Sequence, residues 1–398
     1  MTHSDSDPRW RPETVLAHAG RPPEATLGAV NPPVYHVSTV LSPDVATLRG
    51  KDKMAGDHMV YGRYGTPTVF ALEETVARLE GGVRCTATCS GLSAIAGTLL
   101  AVLKAGDHLL MVDSVYFPTR SFCDKVLAGF GVETTYYAPD ITPDELAALI
   151  RPETRLLFTE LPGSLTFEMQ DLPALAEVAR ERGVKVAIDN TWGTPLYFKP
   201  FEKGADISIQ AGTKYIVGHS DAMLGTITTA DEALGRRIKE TVALFGYSVG
   251  SDEAYLALRG LRTLSVRLAR HHQTGLALAE WLEGRPEVAR VLHPALPSDP
   301  GHALWKRDFS GACGLFGVVL KAVDEAKADA MLDRLTLFGL GFSWGGYESL
   351  AIPTYGGSIV RTVRPWQAEG PTLRLHAGLE DPADLIADLE QGLACLAG

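Results

Sequence analysis

The chain has 398 residues, more than the roughly 100–200 of an ordinary domain, which indicates two lobes. Hydrophobic residues make up 45% and charged residues 21%, a balance that excludes a mainly disordered or fibrous protein. The 48 acidic and 37 basic residues give a net charge of −11, which argues against nucleic acid or an anionic membrane as the main partner. No apolar run reaches the ~18 residues that span a bilayer, so no membrane partner is expected.

The cysteines are odd in number and scattered, namely Cys85, Cys89, Cys123, Cys313 and Cys395. They do not predict a disulfide framework. The Cys85–Cys89 spacing is not followed by the second ligand pair of a zinc site, so no metal is expected. The polar start MTHSDSDPRWRPET lacks the apolar region of a signal peptide. We therefore expect a cytoplasmic protein.

Residues 1–60 are rich in Pro, Gly and polar residues and predict an irregular arm, which is either disordered or clasps another subunit. Thr66 and Pro67 then predict the start of an amphipathic helix that ends at Gly81. Predicted strands follow at 84–90, 108–113, 132–137, 154–161, 184–190, 205–213 and 223–229, with helices at 91–104, 118–129, 143–150 and 171–182. Short apolar runs between helices predict an α/β fold with a mostly parallel sheet covered on both faces.

The chain after about residue 250 has a different pattern. A long helical stretch, EAYLALRGLRTLSVRLARHHQTGLALAEWLEG, is followed by the strand patterns GLFGVVL and TLRLHAG and the helix pattern DEAKADAMLDRL. This mixture predicts a smaller α+β lobe. We therefore expect an arm at 1–60, a large domain at 61–255 and a C-terminal domain at 256–398.

Ligands of an open α/β sheet bind beyond the carboxyl ends of its strands, so polar residues there are candidates for a site. Asp189 ends the run VKVAID, and Lys214 follows ADISIQAG. Ser90, Gly91 and Leu92 lie between a strand and a helix, where backbone N–H groups can bind a phosphate. Taken singly, each has an ordinary alternative: a helix cap for Asp189, a surface lysine for Lys214, and a turn that binds nothing.

Together, the three features favour a pyridoxal 5′-phosphate (PLP) site. PLP needs an amine that attacks its aldehyde, a carboxylate that keeps its ring nitrogen protonated, and an anion site for its phosphate. Lys214, Asp189 and the turn at Ser90 supply these groups in one lobe. A nucleotide-binding α/β protein is the weaker alternative, because the chain has no GxGxxG or P-loop pattern.

Four ordered motifs resemble the cysteine/methionine-metabolism family of PLP-dependent enzymes, which have the aspartate-aminotransferase fold (fold type I). They are the segments at 61–68 (YGRYGTPT), 189–192 (DNTW), 213–215 (TKY) and 218–219 (GH), and the resemblance extends over residues 14–396. One position departs from the family pattern. Many relatives have Ser where this chain has Ala211, so one hydroxyl contact to the phosphate is expected to be missing.

Within the family, three segments resemble the bacterial cystathionine β-lyases: YFPTRSFC at 116–123, GFSWGGYESL at 341–350 and LRLHAGLED at 373–381. The resemblance implies β-elimination of cystathionine to homocysteine, pyruvate and ammonia in methionine biosynthesis, with cystine and other cysteine S-conjugates as further substrates. The alternatives are a cystathionine γ-synthase, a cystathionine or methionine γ-lyase, and a non-catalytic PLP-binding regulator.

The resemblance also implies roles for individual residues. Lys214 would hold the cofactor and transfer protons, with Tyr116 and Tyr61 as further catalytic residues. The other cofactor contacts would come from Asp189, Tyr116, Ser90, Gly91, Leu92, Thr213, Tyr61 and Arg63, and the substrate contacts from Arg374, Ser343 and Trp344. Tyr61 and Arg63 are expected to reach the phosphate of a neighbouring subunit, in a homotetramer built from two dimers. Local alternatives are a solvent-facing Arg374, a core-filling Tyr116 and a simple loop around Arg63.

Overall fold

The structure is a computed structural model, and it describes residues 10–21 and 26–396. Residues 1–9, 22–25 and 397–398 lie outside that description, and with them parts of the predicted arm and most of the segment used to exclude a signal peptide. The predicted α/β fold is confirmed, with one large and one small sheet. Within the described ranges, no helix is long and apolar enough to cross a bilayer.

The start of the chain contains two short helices, α1 (Pro12–His18) and α2 (Val45–Gly50). Helix α1 buries Val15 and Leu16 against its own chain, and the guanidinium of Arg262 donates to the carbonyl of Ala19 at 3.0 Å. The prediction of an entirely irregular arm is wrong at these two places. Helix α1 is stabilised by these tertiary contacts, which composition does not reveal. Helix α2 buries no residue, and its N-cap is Asp44, whose side chain accepts from the N–H of Thr47.

The larger sheet contains β1 (Arg84–Thr88), β2 (His108–Val112), β3 (Glu133–Tyr137), β4 (Thr154–Glu160), β5 (Lys185–Asp189), β6 (Ile207–Gln210) and β7 (Gly225–Thr229). Their order is β1-β7-β6-β5-β4-β2-β3. Strands β6, β5, β4, β2 and β3 are parallel, whereas β7 is antiparallel to β6 and β1. The prediction of a mostly parallel seven-stranded sheet is confirmed. Its carboxyl edge therefore collects the ends of β2, β4, β5 and β6.

The helices of this layer are α3 (Pro67–Glu80), α4 (Gly91–Val102), α5 (Phe117–Phe122), α6 (Pro143–Leu149), α7 (Leu172–Glu181), α8 (Thr194–Tyr197) and α9 (Glu232–Phe245). Helix α3 begins where predicted, because the Thr66 hydroxyl accepts from the N–H of Val69, and it ends at Gly81 with a φ of 77°. The helix predicted at 118–129 is shorter, since Cys123–Leu127 form a π turn and Ala128–Phe130 a 3₁₀ turn.

Helix α10 (Ser251–Arg262) packs against α3, and its buried residues belong to the core of the large lobe. The second lobe contains α11 (Leu264–Glu283), β8 (Val288–Leu292), α12 (His302–Asp308), β9 (Leu315–Leu320), α13 (Glu325–Arg334), β10 (Gly339–Leu340), β11 (Leu350–Pro353), β12 (Thr372–His376) and α14 (Pro382–Leu393). Its sheet has the order β10-β11-β12-β9-β8 and is antiparallel except for the β10–β11 pair. The predicted smaller α+β lobe is confirmed. The long helical stretch is two helices that meet at Thr263.

Candidate active site

A cavity of about 560 Å³ lies at the carboxyl edge of the large sheet, with part of its wall supplied by the second lobe. Most of the residues predicted for the site line it, namely Ser90, Gly91, Leu92, Tyr116, Asp189, Thr213, Lys214, Ser343, Trp344 and Arg374. The structure thus brings together groups that are up to 284 positions apart in the sequence (374 − 90).

Asp189 ends β5 and is buried beneath the cavity. Its Oδ1 accepts hydrogen bonds from the N–H of Thr191 at 3.0 Å and from the Thr191 hydroxyl at 2.5 Å. Burial raises the pKa of this carboxyl, although the Thr191 hydrogen bonds and the charge of Lys214 partly oppose the shift. A cationic ring nitrogen bound above it would restore the ionised form, because an opposite charge favours the carboxylate.

Lys214 lies in the loop that follows β6, because β6 ends at Gln210, before the 213 predicted from the sequence. Its Nζ donates to the Ser343 hydroxyl at 2.6 Å and lies 5.4 Å from the centre of the Trp344 ring. Burial lowers the pKa of Lys214 to about 8, and the nearby Arg374 cation lowers it further, against the opposing charge of Asp189. An amine in this range is a competent nucleophile and base near neutral pH.

The first turn of α4 lines the same cavity as Lys214 and could bind an anion through its backbone N–H groups. The Ser90 hydroxyl accepts from the N–H of Ser93 at 3.1 Å, and the N–H of Ser90 donates to the Ser93 hydroxyl at 2.9 Å. The N–H groups of Gly91 and Leu92 lie in this turn, where a helix offers them no acceptor of its own. A side chain at Gly91 would place its Cβ only 2.6 Å from the Cβ of Ala211, so this turn packs closely on the lysine loop.

Ala211 and Thr213 are the two residues of the lysine loop for which the sequence analysis made a prediction about the phosphate. Ala211 presents only a methyl group, and its N–H donates to the Thr191 hydroxyl at 2.9 Å. The Thr213 hydroxyl lines the cavity but donates to the carbonyl of Leu224 at 3.2 Å and accepts from its N–H at 2.9 Å. The N–H of Ala211 and the hydroxyl of Thr213 thus already donate to acceptors within the protein, so the backbone N–H groups at Gly91 and Leu92 are the better donors for an anion.

Tyr116 follows β2 and is 44% exposed toward the cavity. Its N–H donates to Oε2 of Glu160 at 2.7 Å. Burial raises the pKa of the Tyr116 phenol, the charges of Asp189 and Glu160 raise it further, and Arg374 lowers it. A neutral phenol ring at this point can pack on a flat aromatic ligand.

Glu160 is a cavity residue that the sequence analysis missed. It ends β4 directly opposite Asp189 in the β4–β5 pairing. Burial and the neighbouring Asp189 charge raise the pKa of Glu160 well above its usual range. The signal that identified Asp189, a polar residue at the end of an apolar strand, is also present at Glu160.

Arg374 and Ser343 form the opposite wall. The Arg374 guanidinium donates to the carbonyl of Ser343 at 2.9 Å, and burial lowers the pKa of Arg374 to about 10. His376, also missed by the sequence analysis, supports this wall, because its Nε2 accepts from the N–H of Gly345 at 3.0 Å. Nothing in the TLRLH pattern distinguishes this histidine from an ordinary core residue.

Tyr61 and Arg63 do not line the cavity of their own chain. Both are exposed, and the Arg63 guanidinium donates to the carbonyl of Ala243 and, at 3.0 Å, to the Tyr64 hydroxyl. Their predicted contact with the phosphate of a neighbouring subunit stays a prediction.

The residues in the cavity fit PLP. An amine of lowered pKa, a buried carboxylate and free backbone donors correspond to its aldehyde, its ring nitrogen and its phosphate. Gly91 and Leu92 line the cavity, so the N-terminus of α4 faces the space that an anion would occupy.

Comparison with known proteins identifies the family. The Cys/Met metabolism PLP-dependent enzyme family matches residues 13–394. The chain is 46% identical to a cystathionine beta-lyase of Bordetella avium (96% of this chain, 97% of the relative) and 43% identical to the cystathionine beta-lyase MetC of Escherichia coli (96% and 98%). The crystal structure of metB from Corynebacterium glutamicum superposes with a TM-score of 0.89 at 32% identity, covering 98% and 99% of the two chains. This chain belongs to the Cys/Met metabolism PLP-dependent enzyme family.

Proposed function

We propose that the protein catalyses the PLP-dependent β-elimination of L-cystathionine to L-homocysteine, pyruvate and ammonia. The observation that carries the proposal is the Lys214 amine, with a pKa of about 8, hydrogen-bonded to Ser343 between Asp189 and Arg374. The relatives named as cystathionine β-lyases support the choice of substrate, because they match over nearly the whole length of both chains.

The cofactor, when bound, supplies a protonated ring that stabilises negative charge on the substrate's Cα. Asp189 would hold the proton on the ring nitrogen, and the N–H groups of Gly91 and Leu92 would bind the phosphate. Lys214 would hold the aldehyde end, and Tyr116 would pack against the ring face. The assignments of Asp189 and Lys214 rest on their contacts with Thr191 and Ser343, and those of Gly91, Leu92 and Tyr116 rest on their position in the cavity wall.

Arg374 would bind the substrate's α-carboxylate through two parallel hydrogen bonds. Its bond to the Ser343 carbonyl fixes the guanidinium within the cavity wall. The Lys214 amine would take the proton from Cα and deliver a proton to the sulfur as the Cβ–S bond breaks and homocysteine leaves. The aminoacrylate that remains would be released and take up one water to give pyruvate and ammonia. The Ser343 hydroxyl orients the amine for both transfers, since it already accepts from Nζ at 2.6 Å. Trp344 bounds the space in which the amine moves.

The alternatives differ in the bond that breaks. A γ-elimination requires a second proton to be taken, from Cβ, and it yields 2-oxobutyrate where β-elimination yields pyruvate. A non-catalytic PLP-binding protein would bind the cofactor and release neither product. Cystine and other cysteine S-conjugates are proposed as further substrates, because β-elimination requires only a leaving sulfur on Cβ.

We also propose the assembly and organisation that the resemblance implies. Tyr61 and Arg63 would reach the phosphate in a second copy, as part of a cytoplasmic homotetramer. Their exposure, outside their own chain's cavity, is compatible with this role. The proposed division is an arm at 1–60, a PLP-binding domain at 61–255 and a C-terminal domain at 256–398.

The test is a product assay on purified holoenzyme with L-cystathionine and, separately, with cystine. Pyruvate as the main keto acid supports the proposal, and 2-oxobutyrate as the main product contradicts it. Lys214→Ala should fold but lose both the absorption band of the covalently held cofactor and the turnover, whereas Lys104→Ala, at a lysine with 75% of its side chain exposed, should lose neither.

A second pair of variants tests the carboxylate site. Arg374→Ala should raise KM for cystathionine far more than it changes cofactor content. Arg151→Ala is the matched control, because its guanidinium pairs with Glu133 at 2.8 Å outside the cavity. Unchanged kinetics in Arg374→Ala would exclude the proposed role.

A further inference from the structure

The wall of the cavity on the β2 side is an irregular segment of the second lobe. Residues 354–371 connect β11 to β12 without a helix or strand, and Ser358, Ile359, Val360 and Arg361 from this segment line the cavity. Most of residues 356–364 are exposed, so this stretch buries little apolar surface, whereas Trp366 farther along the same segment packs against the core of the large lobe. Hydrogen bonds and ion pairs therefore have the main part in holding residues 356–364 in place.

Asp113 supplies the main contact from the large lobe. It directly follows β2 and is 1% exposed. Its carboxylate accepts from the N–H of Thr362 at 2.9 Å, from the Thr362 hydroxyl at 2.9 Å and from the N–H of Val363 at 2.9 Å. It also pairs with the guanidinium of Arg120, which is 3% exposed.

These hydrogen bonds keep Asp113 ionised. Burial alone would raise the pKa of Asp113, but the bonds from Val363, Arg120 and Thr362 outweigh it and hold the pKa below its usual value. A buried, ionised carboxylate with this many donors is a rigid anchor, because any movement of the segment would leave the charge unsatisfied.

Arg361 fastens the same segment a second time. Its guanidinium donates to the backbone carbonyl of Asp113 at 2.9 Å and pairs with Glu168 at 3.0 Å. Only 6% of the Arg361 side chain is exposed. Three cavity-lining residues, 358–360, thus immediately precede an anchored run, 361–363, whose hydrogen-bond partners outside the segment lie in the large lobe.

The strand order places this anchor on the side of the cavity away from Lys214. Lys214 follows β6, Asp189 ends β5 and Asp113 follows β2, with β4 between the last two strands. Neighbouring strands are about 4.8 Å apart, so β2 lies about 10 Å from β5. That span exceeds the region around the reacting Cα and Cβ, and the cavity extends across it, because Ile359 and Val360 line the same cavity as Lys214.

We propose that Asp113 is a positioning residue that determines how the enzyme accommodates the leaving-group portion of its substrate, by fixing residues 358–361 as the far wall of the cavity. The inference rests on the proposed β-elimination. It assigns no contact between Asp113 and the substrate, because the carboxylate acts through Thr362 and Val363. Discrimination between long and short leaving groups, and not the elimination itself, should therefore depend on Asp113.

The test compares L-cystathionine with S-methyl-L-cysteine, which has the same amino-acid end and a much shorter leaving group. In Asp113→Asn holoenzyme, kcat/KM for cystathionine should fall about tenfold or more, while kcat/KM for S-methyl-L-cysteine should change by less than about threefold. Amide hydrogen exchange in residues 358–363 should rise at the same time, because the anchor is weakened. An equal loss for both substrates would overturn the inference.

Asp113→Asn leaves Arg120 buried without its counter-charge, so a second variant guards against misfolding. Thr362→Val removes one hydrogen bond to Asp113 and leaves the ion pair intact, and it should shift the substrate ratio in the same direction by a smaller factor. The control is Thr336→Val, because the Thr336 hydroxyl makes an equivalent bond to Asp388 at 2.8 Å away from the cavity. The measured ratio is kcat/KM for cystathionine divided by kcat/KM for S-methyl-L-cysteine. A change of this ratio in Thr336→Val, or an unchanged ratio in Thr362→Val, would count against the inference.

Failure of the proposed function would be visible separately. Wild-type enzyme that releases no pyruvate from cystathionine but cleaves S-methyl-L-cysteine would contradict the proposed substrate only. The ratio would then be measured with S-butyl-L-cysteine as the long substrate, and the same outcomes would decide the role of Asp113.

Discussion

The amine of Lys214 should titrate near pH 8 in the cofactor-free protein. Burial disfavours the ammonium form and lowers its pKa, and the Arg374 cation lowers it further, while Asp189 opposes both. The neutral, reactive fraction therefore grows as the pH rises through about 8, well before an ordinary lysine with a pKa of 10.5 releases its proton. This lowered pKa is what makes the residue a base for the proposed proton transfers.

The size of the effect follows from the two pKa values. With a pKa of about 8, about 10% of the Lys214 amine is neutral at pH 7, compared with about 0.03% for a lysine at 10.5. The difference is about 300-fold. Labelling with trace acetic anhydride between pH 6 and pH 10, followed by mass spectrometry of the Lys214 peptide, measures the midpoint directly. A lysine model peptide in the same solution supplies the reference.

Two variants check the cause. Asp189→Asn removes a negative charge and should move the Lys214 midpoint to lower pH, whereas Arg374→Met removes a positive charge and should move it higher. A wild-type midpoint above about pH 10 would refute the reasoning. Shifts of the opposite sign in the variants would show that these two charges do not act on the amine as described.

Two further predictions concern the scaffold around the site. Lys239→Met should lower the free energy of unfolding by about 3–5 kcal/mol in urea titration, because it leaves the carboxylate of Glu73 buried without its partner; the side chains are 7% and 9% exposed. The double variant with Glu73→Gln should recover part of the loss, and an equal or greater loss would contradict the account. Gly91→Ala should weaken PLP binding about tenfold or more in a fluorescence titration, since the new Cβ would lie 2.6 Å from the Cβ of Ala211. An unchanged dissociation constant for PLP would show that the first turn of α4 can shift to accept the methyl group without weakening phosphate binding.

The sequence predicted much of the site because a polar residue directly after an apolar run marks the end of a buried strand. Asp189 and Lys214 both follow apolar runs, and the parallel order of β5 and β6 brings such ends to one edge. Glu160 carries the same signal at the end of β4 and was passed over. Helix lengths were less predictable, as in α5, where the observed π turn depends on packing that periodicity does not describe.

The sequence by itself determined the layered α/β fold, because a parallel sheet buried on both faces requires the apolar runs that the chain contains. It also determined the residue types at the strand ends. Only the tertiary structure decided which distant groups meet them. The bond between Lys214 and Ser343 joins positions 129 residues apart, and Asp113 meets Thr362 across 249 residues. A hydrogen bond between two packed segments leaves no periodic pattern in the sequence of either segment. These contacts therefore could not be predicted from the sequence and are seen only in the tertiary structure.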